Sequence, residues 1–282
     1  MKAVPVDLQL EAGPLRALRR GPDSGPPVFC VPGLSANAQS FDAISTNLAQ
    51  RGRQLVALDL RGRGFSPAPS PGTFGWRGHA LDLLAAASKL GFAEFDLIGH
   101  SMGAFVSMQA AALAPGRVRR LVLIDAAGVP EAGVIPPILA AVQRLGATYP
   151  SAEAYCEQVR KIGAAVPWEE LWREHYLYDL EAVKGGVRPR TSREAVLADV
   201  LYGAGQDAKL FWPQLSMPTL LVRAAQPLLP GTGFVVGAVL RDAFLAAVPS
   251  AQAVEVDANH YGVMAHPQAL RAIDGFLSAA PR

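Results

Sequence analysis

Short apolar runs recur through the first half of the chain, each closed by a glycine, a proline or an aspartate. Residues 27–31, 54–58, 95–98 and 118–124 are essentially continuous apolar stretches rather than alternating ones. A strand with one wet face alternates and a strand covered on both faces does not, so these runs predict a mostly parallel sheet with helices on both sides. Residues 40–50, 78–90 and 104–113 have helix composition and connect the runs. Ahead of them, 6–10 and 15–19 flank Ala12-Gly13-Pro14 and predict an antiparallel pair joined by a turn. The pattern changes after 124. From 128 to 212 no strand-like run is found, and helices are predicted over 138–145, 152–162, 168–180 and 193–201 with Pro and Gly breaks between them. Sheet pattern resumes at 218–223, followed by a helix at 239–247, a strand at 253–256 and a closing helix at 268–279. The expectation is an α/β fold with one core domain, 1–127 and 213–282, interrupted by a helical insertion at 128–212.

Chemistry concentrates where the run 95–98 meets the Ala-rich helix. The junction reads Gly99-His100-Ser101-Met102-Gly103. A Gly-x-Ser-x-Gly stretch in this context makes a strained strand-to-helix turn that lifts a serine above the sheet, with glycines where the backbone passes too close for a Cβ. The following helix aims its N-terminus at the point where negative charge develops. Ser101 is therefore a candidate nucleophile, the alternative being a tight turn with an idle serine. A second turn, Asp59-Leu60-Arg61-Gly62-Arg63-Gly64-Phe65-Ser66, precedes a proline-rich loop, and its Asp59, Arg61 and Ser66 read as a turn-stabilising set.

The 282 residues suffice for a large α/β domain with an insertion. A net charge of +2 with no long Lys/Arg run gives no case for nucleic acid. No apolar stretch of ~18 residues is present to span a membrane, and residues 1–7 lack the apolar core of a signal peptide. Cys30 falls in a predicted buried strand and Cys156 in a predicted polar helix, which reads as two free thiols in a reducing cytoplasm. Without a Cys/His cluster or a phosphate-binding glycine loop, neither metal nor organic cofactor is expected. Charges of both signs in the insertion make no case for an ionic substrate, and its aromatic residues, from Tyr149 to Trp212, are packing residues first.

Taken together, the Pro32-Gly33 loop, the turn at 59–66, the elbow serine, the helical insertion and a late histidine resemble the α/β-hydrolase superfamily over nearly the whole chain. The resemblance implies Ser101 as nucleophile. It implies His260 as general base, because of the five histidines only His260 lies in a loop after the last strand. His100 is expected to point away from the working face of Ser101, with His79, His175 and His266 in ordinary packing or surface roles. Many relatives carry the acid just after the strand at 220–223, but Ala224-Ala225-Gln226-Pro227 offers no carboxylate there. Other relatives place it after the strand that follows the elbow helix, where Asp125 stands. Asp242 is the alternative, Asp257 reads as a turn residue, and a dyad without a strong acid stays open. The resemblance assigns the oxyanion hole to the N–H groups of Leu34 and Met102, with Pro32-Gly33 where the family commonly has His-Gly. The implied activity is cofactor-free serine hydrolysis of a small-molecule, apolar carboxylic ester or similar acyl bond through an acyl-enzyme. Carbon–carbon bond hydrolysis, lactone opening, acyl transfer and non-catalytic ligand binding are alternatives on the same fold.

Overall fold

The computed structural model describes residues 1–68 and 72–279; positions 69–71 of the proline-rich loop lie outside the described residues. The chain runs through β1 (Val4–Leu10), β2 (Gly13–Arg20), β3 (Pro27–Val31), α1 (Asp42–Gln50), β4 (Gln54–Leu58), α2 (Trp76–Lys89), β5 (Phe95–His100), α3 (Met102–Leu113) and β6 (Val118–Ile124). Then come α4 (Ile135–Val142), α5 (Ala152–Ile162), α6 (Glu170–Tyr178), β7 (Leu180–Val183), β8 (Gly186–Pro189) and α7 (Arg193–Ala204). It closes with β9 (Thr219–Ala224), α8 (Ala238–Ala247), β10 (Ala251–Val256) and α9 (Pro267–Ser278).

One eight-stranded sheet has the order β1-β2-β4-β3-β5-β6-β9-β10. β2 is antiparallel to both β1 and β4, and every other pairing is parallel. The continuous apolar runs follow from burial on both faces. In β3, Phe29 and Val31 enter the core under α2, α3 and α8, whereas Val28 and Cys30 enter the core under α1 and α9. β6 divides the same way, Leu121 and Leu123 against Val122 and Ile124. Phe29 lies fully buried with its ring 4.9 Å from that of Phe95 and 6.1 Å from that of Phe92. Truncating such a ring to alanine costs about 3–5 kcal/mol.

The segment between β6 and β9 departs from its predicted all-helical form. β7 and β8 form a small antiparallel hairpin. Four-residue strands, half-exposed on both faces, carry no period-2 signal, and the hairpin is made by its turn and its edge instead. Gly185 and Gly186 take positive φ, and a Cβ on Gly186 would stand 1.9 Å from the Tyr149 carbonyl oxygen. Tyr149 and Val187 exchange both backbone hydrogen bonds, at 2.8 and 2.9 Å. The predicted helix 168–180 accordingly stops at Tyr178, where the Asp179 carboxylate accepts from Thr191 Oγ1 (2.8 Å) and Leu180 enters the hairpin. Cys156 stands on the polar helix α5 but on its buried face, beside Tyr155 and Val159, and both cysteines are free thiols.

Candidate active site

β5, β6 and β9 end side by side, with His100 opposite Ile124 and Ile124 opposite Val222. The ladder runs one residue further, Ser101 N–H donating to Ile124 O (3.1 Å) and Asp125 N–H to Val222 O (2.8 Å). Both residues then leave the sheet with left-handed backbone, φ +55° at Ser101 and +47° at Asp125, and no other described non-glycine residue does so. Such a conformation costs about 1–3 kcal/mol and persists only where surroundings impose it. At Ser101 the imposing feature is the close seating of α3. A Cβ on Gly103 would lie 2.0 Å from Val31 O, and one on Gly99 would lie 2.3 Å from Gly103 O. Met102 opens α3, so its N–H has no intrahelical acceptor. Gly33 packs on the serine from the other side, where a Cβ would meet the Ser101 Cβ at 3.1 Å.

Positive φ at Asp125 divides its two oxygens between two donors. Oδ1 accepts from the Ala224 N–H (3.0 Å), and Oδ2 lies 2.8 Å from His260 Nδ1. The loop carrying His260 is held by its neighbour: Asn259 Oδ1 accepts from Gly262 N–H (2.8 Å) and Tyr261 N–H (3.2 Å), while its Nδ2 donates to Ala164 O (2.8 Å). His100 does not turn away as expected. Its Nε2 lies 3.0 Å from His260 O and its ring centroid 4.5 Å from that of His260. The ring lies between His260 and Gly33, where a Cβ on Gly33 would stand 3.5 Å from His100 Nδ1. Burial, and then the facing His260, push His100 well below the ordinary imidazole range, so it is neutral.

Ser101, His260, Leu34 and Met102 line one cavity of about 400 Å³ with walls from α4, α5 and α7. The cavity is mostly apolar, and its described lining includes one lysine or arginine, Arg144, and one carboxylate, Asp199. Of the aromatic residues of the insertion, Tyr176 reaches it and the remainder pack elsewhere. Asp242 does not approach the site: it lies exposed on α8 beside Arg241 (2.8 Å), because a helix position facing solvent cannot reach a buried imidazole. Asp257 accepts from Gln226 Nε2 (3.0 Å) at the surface. His79 is buried on α2, His175 is buried on α6, and His266 caps α9 by accepting from Gln268 N–H (3.3 Å). Arg144 and His100 were missed by sequence reasoning; the only signal for Arg144 is a lone cation ending an otherwise apolar helix.

A buried ionic clamp supports Leu34. Arg63 is completely buried and donates to Leu34 O through Nε (3.0 Å) and Nη2 (2.9 Å). Its counterion is Asp199 of α7, at 2.5 Å, which also faces His79 Nε2 (2.9 Å) and accepts from Gly75 N–H (2.6 Å). Three segments, the Leu34 loop, the start of α2 and α7, thus meet on two charges. Asp59, Arg61 and Ser66 hold the turn below: Asp59 accepts from Ala38 N–H (2.8 Å), Phe65 N–H (2.9 Å) and Tyr178 Oη (2.9 Å), Ser66 donates to Asp59 O (2.7 Å), and Arg61 pairs with Asp82. Asp199→Asn leaves Arg63 charged and buried without its partner, so it is expected to cost about 3–5 kcal/mol in denaturant unfolding. A loss under 1 kcal/mol would show that water compensates Arg63.

The sequence matches the α/β hydrolase fold family over residues 26–264. The chain belongs to this family. It is 26% identical over 218 residues to 2-(acetamidomethylene)succinate hydrolase of Mesorhizobium japonicum, which covers 77% of each sequence. The solved structure of an E-2-(acetamidomethylene)succinate hydrolase superposes with a TM-score of 0.87 at 25% identity, covering 99% of this chain and all of that one. A shorter stretch is 34% identical over 129 residues to the sn-1-specific diacylglycerol lipase ABHD11 of Xenopus tropicalis, covering 44% of this chain and 40% of the relative. Against a serine hydrolase-like protein of Dictyostelium discoideum the alignment spans 30% of the relative's length. Among the described residues there is no group of His, Cys, Asp or Glu placed to hold a metal ion, and no helix is long and apolar enough to cross a membrane.

Proposed function

We propose that this α/β hydrolase is a serine hydrolase that cleaves a carboxylic ester or similar acyl bond of a small molecule through an acyl-enzyme. The observation that carries the reading is the 2.8 Å bond between Asp125 Oδ2 and His260 Nδ1, with His260 and Ser101 lining one cavity and Ser101 and Asp125 both in left-handed backbone. Asp125 Oδ2 accepts a hydrogen bond from Nδ1–H, which fixes the His260 tautomer that leaves Nε2 free as a base. His260 removes the Ser101 proton as Oγ attacks the carbonyl carbon. The N–H groups of Met102 and Leu34 donate to the developing oxyanion, and the N-terminus of α3 adds its dipole. His260 then protonates the leaving group, and in the second half it activates the water that releases the acid.

In this reading residues 128–212 act as a lid over a core of 1–127 and 213–282, and the largely apolar cavity between them holds the body of the substrate. The name of the relative matched over 77% of each chain supports a small molecule in place of a polymer. Two free buried cysteines suit the reducing cytoplasm.

The test is intact mass and peptide mapping after treatment with a fluorophosphonate, followed by product analysis on a panel of 4-nitrophenyl esters. One adduct at Ser101, with free acid as the product, is expected. Folded protein that takes no label and turns over no ester would overturn the hydrolase reading in favour of ligand binding. Diversion of the acyl group to an added alcohol would overturn water as the natural acceptor.

A further inference from the structure

The reaction above gives Arg144 no task. It follows the last turn of α4, a helix whose cavity-facing residues, Ile135, Ile138, Ala141 and Val142, are apolar. The Arg144 guanidinium donates through Nη1 to Ala141 O of its own turn (2.9 Å), and its central carbon stands 5.9 Å from the Tyr176 ring centre. No described carboxylate forms an ion pair with it. Asp179, the acidic group whose field it feels, is bonded to Thr191. The other arginines of the insertion with acidic neighbours are paired: Arg173 with Glu170, and Arg188 and Arg190 with Glu181. Arg63, the other arginine at this site, has Asp199.

Two further groups beside Arg144 are also unsatisfied. His175 is 5% exposed and its Nδ1 is buried without a hydrogen-bond partner, and the same holds for Tyr155 Oη, on a residue with no exposure. Burial, and then the charge of Arg144, push His175 down to about 3, so it is a neutral ring with one N–H to donate. A half-buried guanidinium, a neutral imidazole and a phenol gather here, and apart from the Ala141 carbonyl that accepts from Arg144, no acceptor of the protein is seen on the guanidinium, on His175 Nδ1 or on the Tyr155 hydroxyl. Leaving such groups unpaired away from water is costly, and a permanently charged one most of all. An apolar wall that served only an apolar substrate has no use for this cost. Arg144, His175 and Tyr176 line the same cavity as Ser101 and His260, so a ligand that meets both ends lies across it.

We propose that the Arg144 corner, completed by His175, binds a carboxylate at the end of the substrate remote from the reacting carbonyl. The substrate class is then an acyl compound with an apolar body and a free carboxylate, such as a half-ester or half-amide of a dicarboxylic acid. The planar fork of arginine matches a carboxylate with two parallel hydrogen bonds. A single cation with no lysine and no second arginine suits one negative charge rather than a phosphate ester. This refines the apolar ester expected from the sequence, and it rests on the hydrolase reading only for the identity of the reacting end.

Two measurements keep the two claims apart. The first is calorimetric binding of adipate monoamide and of the neutral adipamide to the wild type, to Ser101→Ala and to Arg144→Met. The wild type and Ser101→Ala are expected to bind the anion at least thirtyfold more tightly than the neutral amide, and Arg144→Met to lose that preference, as befits a charge-assisted pair. The second is the ratio of kcat/KM for 4-nitrophenyl half-esters of dicarboxylic acids of increasing length to that for their methyl-capped counterparts. That ratio is expected to fall about thirtyfold in Arg144→Met, mainly through KM, and to recover in part in Arg144→Lys, with thermal unfolding confirming folded variants. Equal affinity of the wild type for anion and amide would overturn the carboxylate subsite, with no variant needed. So would an unchanged ratio in folded Arg144→Met. Should the esters fail altogether while the anion still binds through Arg144, the hydrolase reading falls and the subsite stands.

Discussion

Asp125→Asn is expected to lower kcat about ten-thousandfold on any ester the enzyme turns over, in a protein that still folds. The size of the loss follows from the hydrogen bonds. Oδ1 of Asp125 accepts from the Ala224 N–H at 3.0 Å, and only an oxygen can keep that bond. An asparagine therefore places its oxygen there and turns its NH2 toward His260 Nδ1, which sits 2.8 Å from Oδ2 in the native protein. The imidazole then has to accept at Nδ1, and its proton moves to Nε2. A ring protonated at Nε2 cannot take a proton from Ser101. Both hydrogen bonds survive in the variant, so the thermal midpoint moves little while kcat collapses. Steady-state kinetics on the purified variant, beside Asp242→Asn as a control on exposed α8, checks this. A rate within tenfold of the wild type would remove Asp125 from the mechanism and leave His260 to act without a carboxylate.

The parts of the site written in contiguous residues were legible in the sequence. Gly99 to Gly103 states its own geometry, because each glycine marks a place where a Cβ would strike backbone. The strands were legible because both faces of β3, β5 and β6 are buried, which leaves no room for a polar position except at an end. Asp125 was readable as a candidate by position, but preferring it over Asp242 required the tertiary structure: Asp125 ends β6, the strand beside β5, and its Oδ2 lies 2.8 Å from His260 Nδ1, whereas Asp242 pairs with Arg241 on exposed α8. In the proposed reading the carboxylate missing at Gln226 is supplied one strand closer to Ser101, by Asp125. The hairpin β7–β8 escaped because its pairing depends on two glycines and a bridge to Tyr149, thirty-odd positions earlier in the chain. Arg144 escaped for a similar reason. One cation at the end of an apolar helix reads as a solvated tip, and only the packing of α5 and α6 around it turns it inward. His100 was misjudged because the alternation of a strand says which face a residue takes, not that the His260 loop comes to lie against that face.

Replacing Ser101 or His260 by alanine, singly or together, is expected to lower kcat by about a millionfold in every case, so that the second substitution adds almost nothing to the first. The two groups act as one device: without the hydroxyl the imidazole has no proton to take, and without the imidazole the hydroxyl is no nucleophile. What remains in all three variants is the pull of the Met102 and Leu34 N–H groups on the carbonyl oxygen, about 10³–10⁴ over water. Stability separates variants that activity cannot. His260→Ala leaves Asp125 Oδ2 buried without its donor, which costs about 1–3 kcal/mol in denaturant unfolding. Ser101→Ala removes no such partner, but the alanine inherits φ +55° and its strain. Ser101→Gly relaxes that strain, because glycine takes this backbone freely, and is expected to be more stable than the alanine variant by about 1 kcal/mol while equally inactive. A glycine variant no more stable than the alanine one would mean that the turn around Ser101 stores no strain and that the seating of α3 alone sets it. A Ser101→Ala enzyme retaining more than a hundredth of its rate would place the nucleophile elsewhere in the cavity.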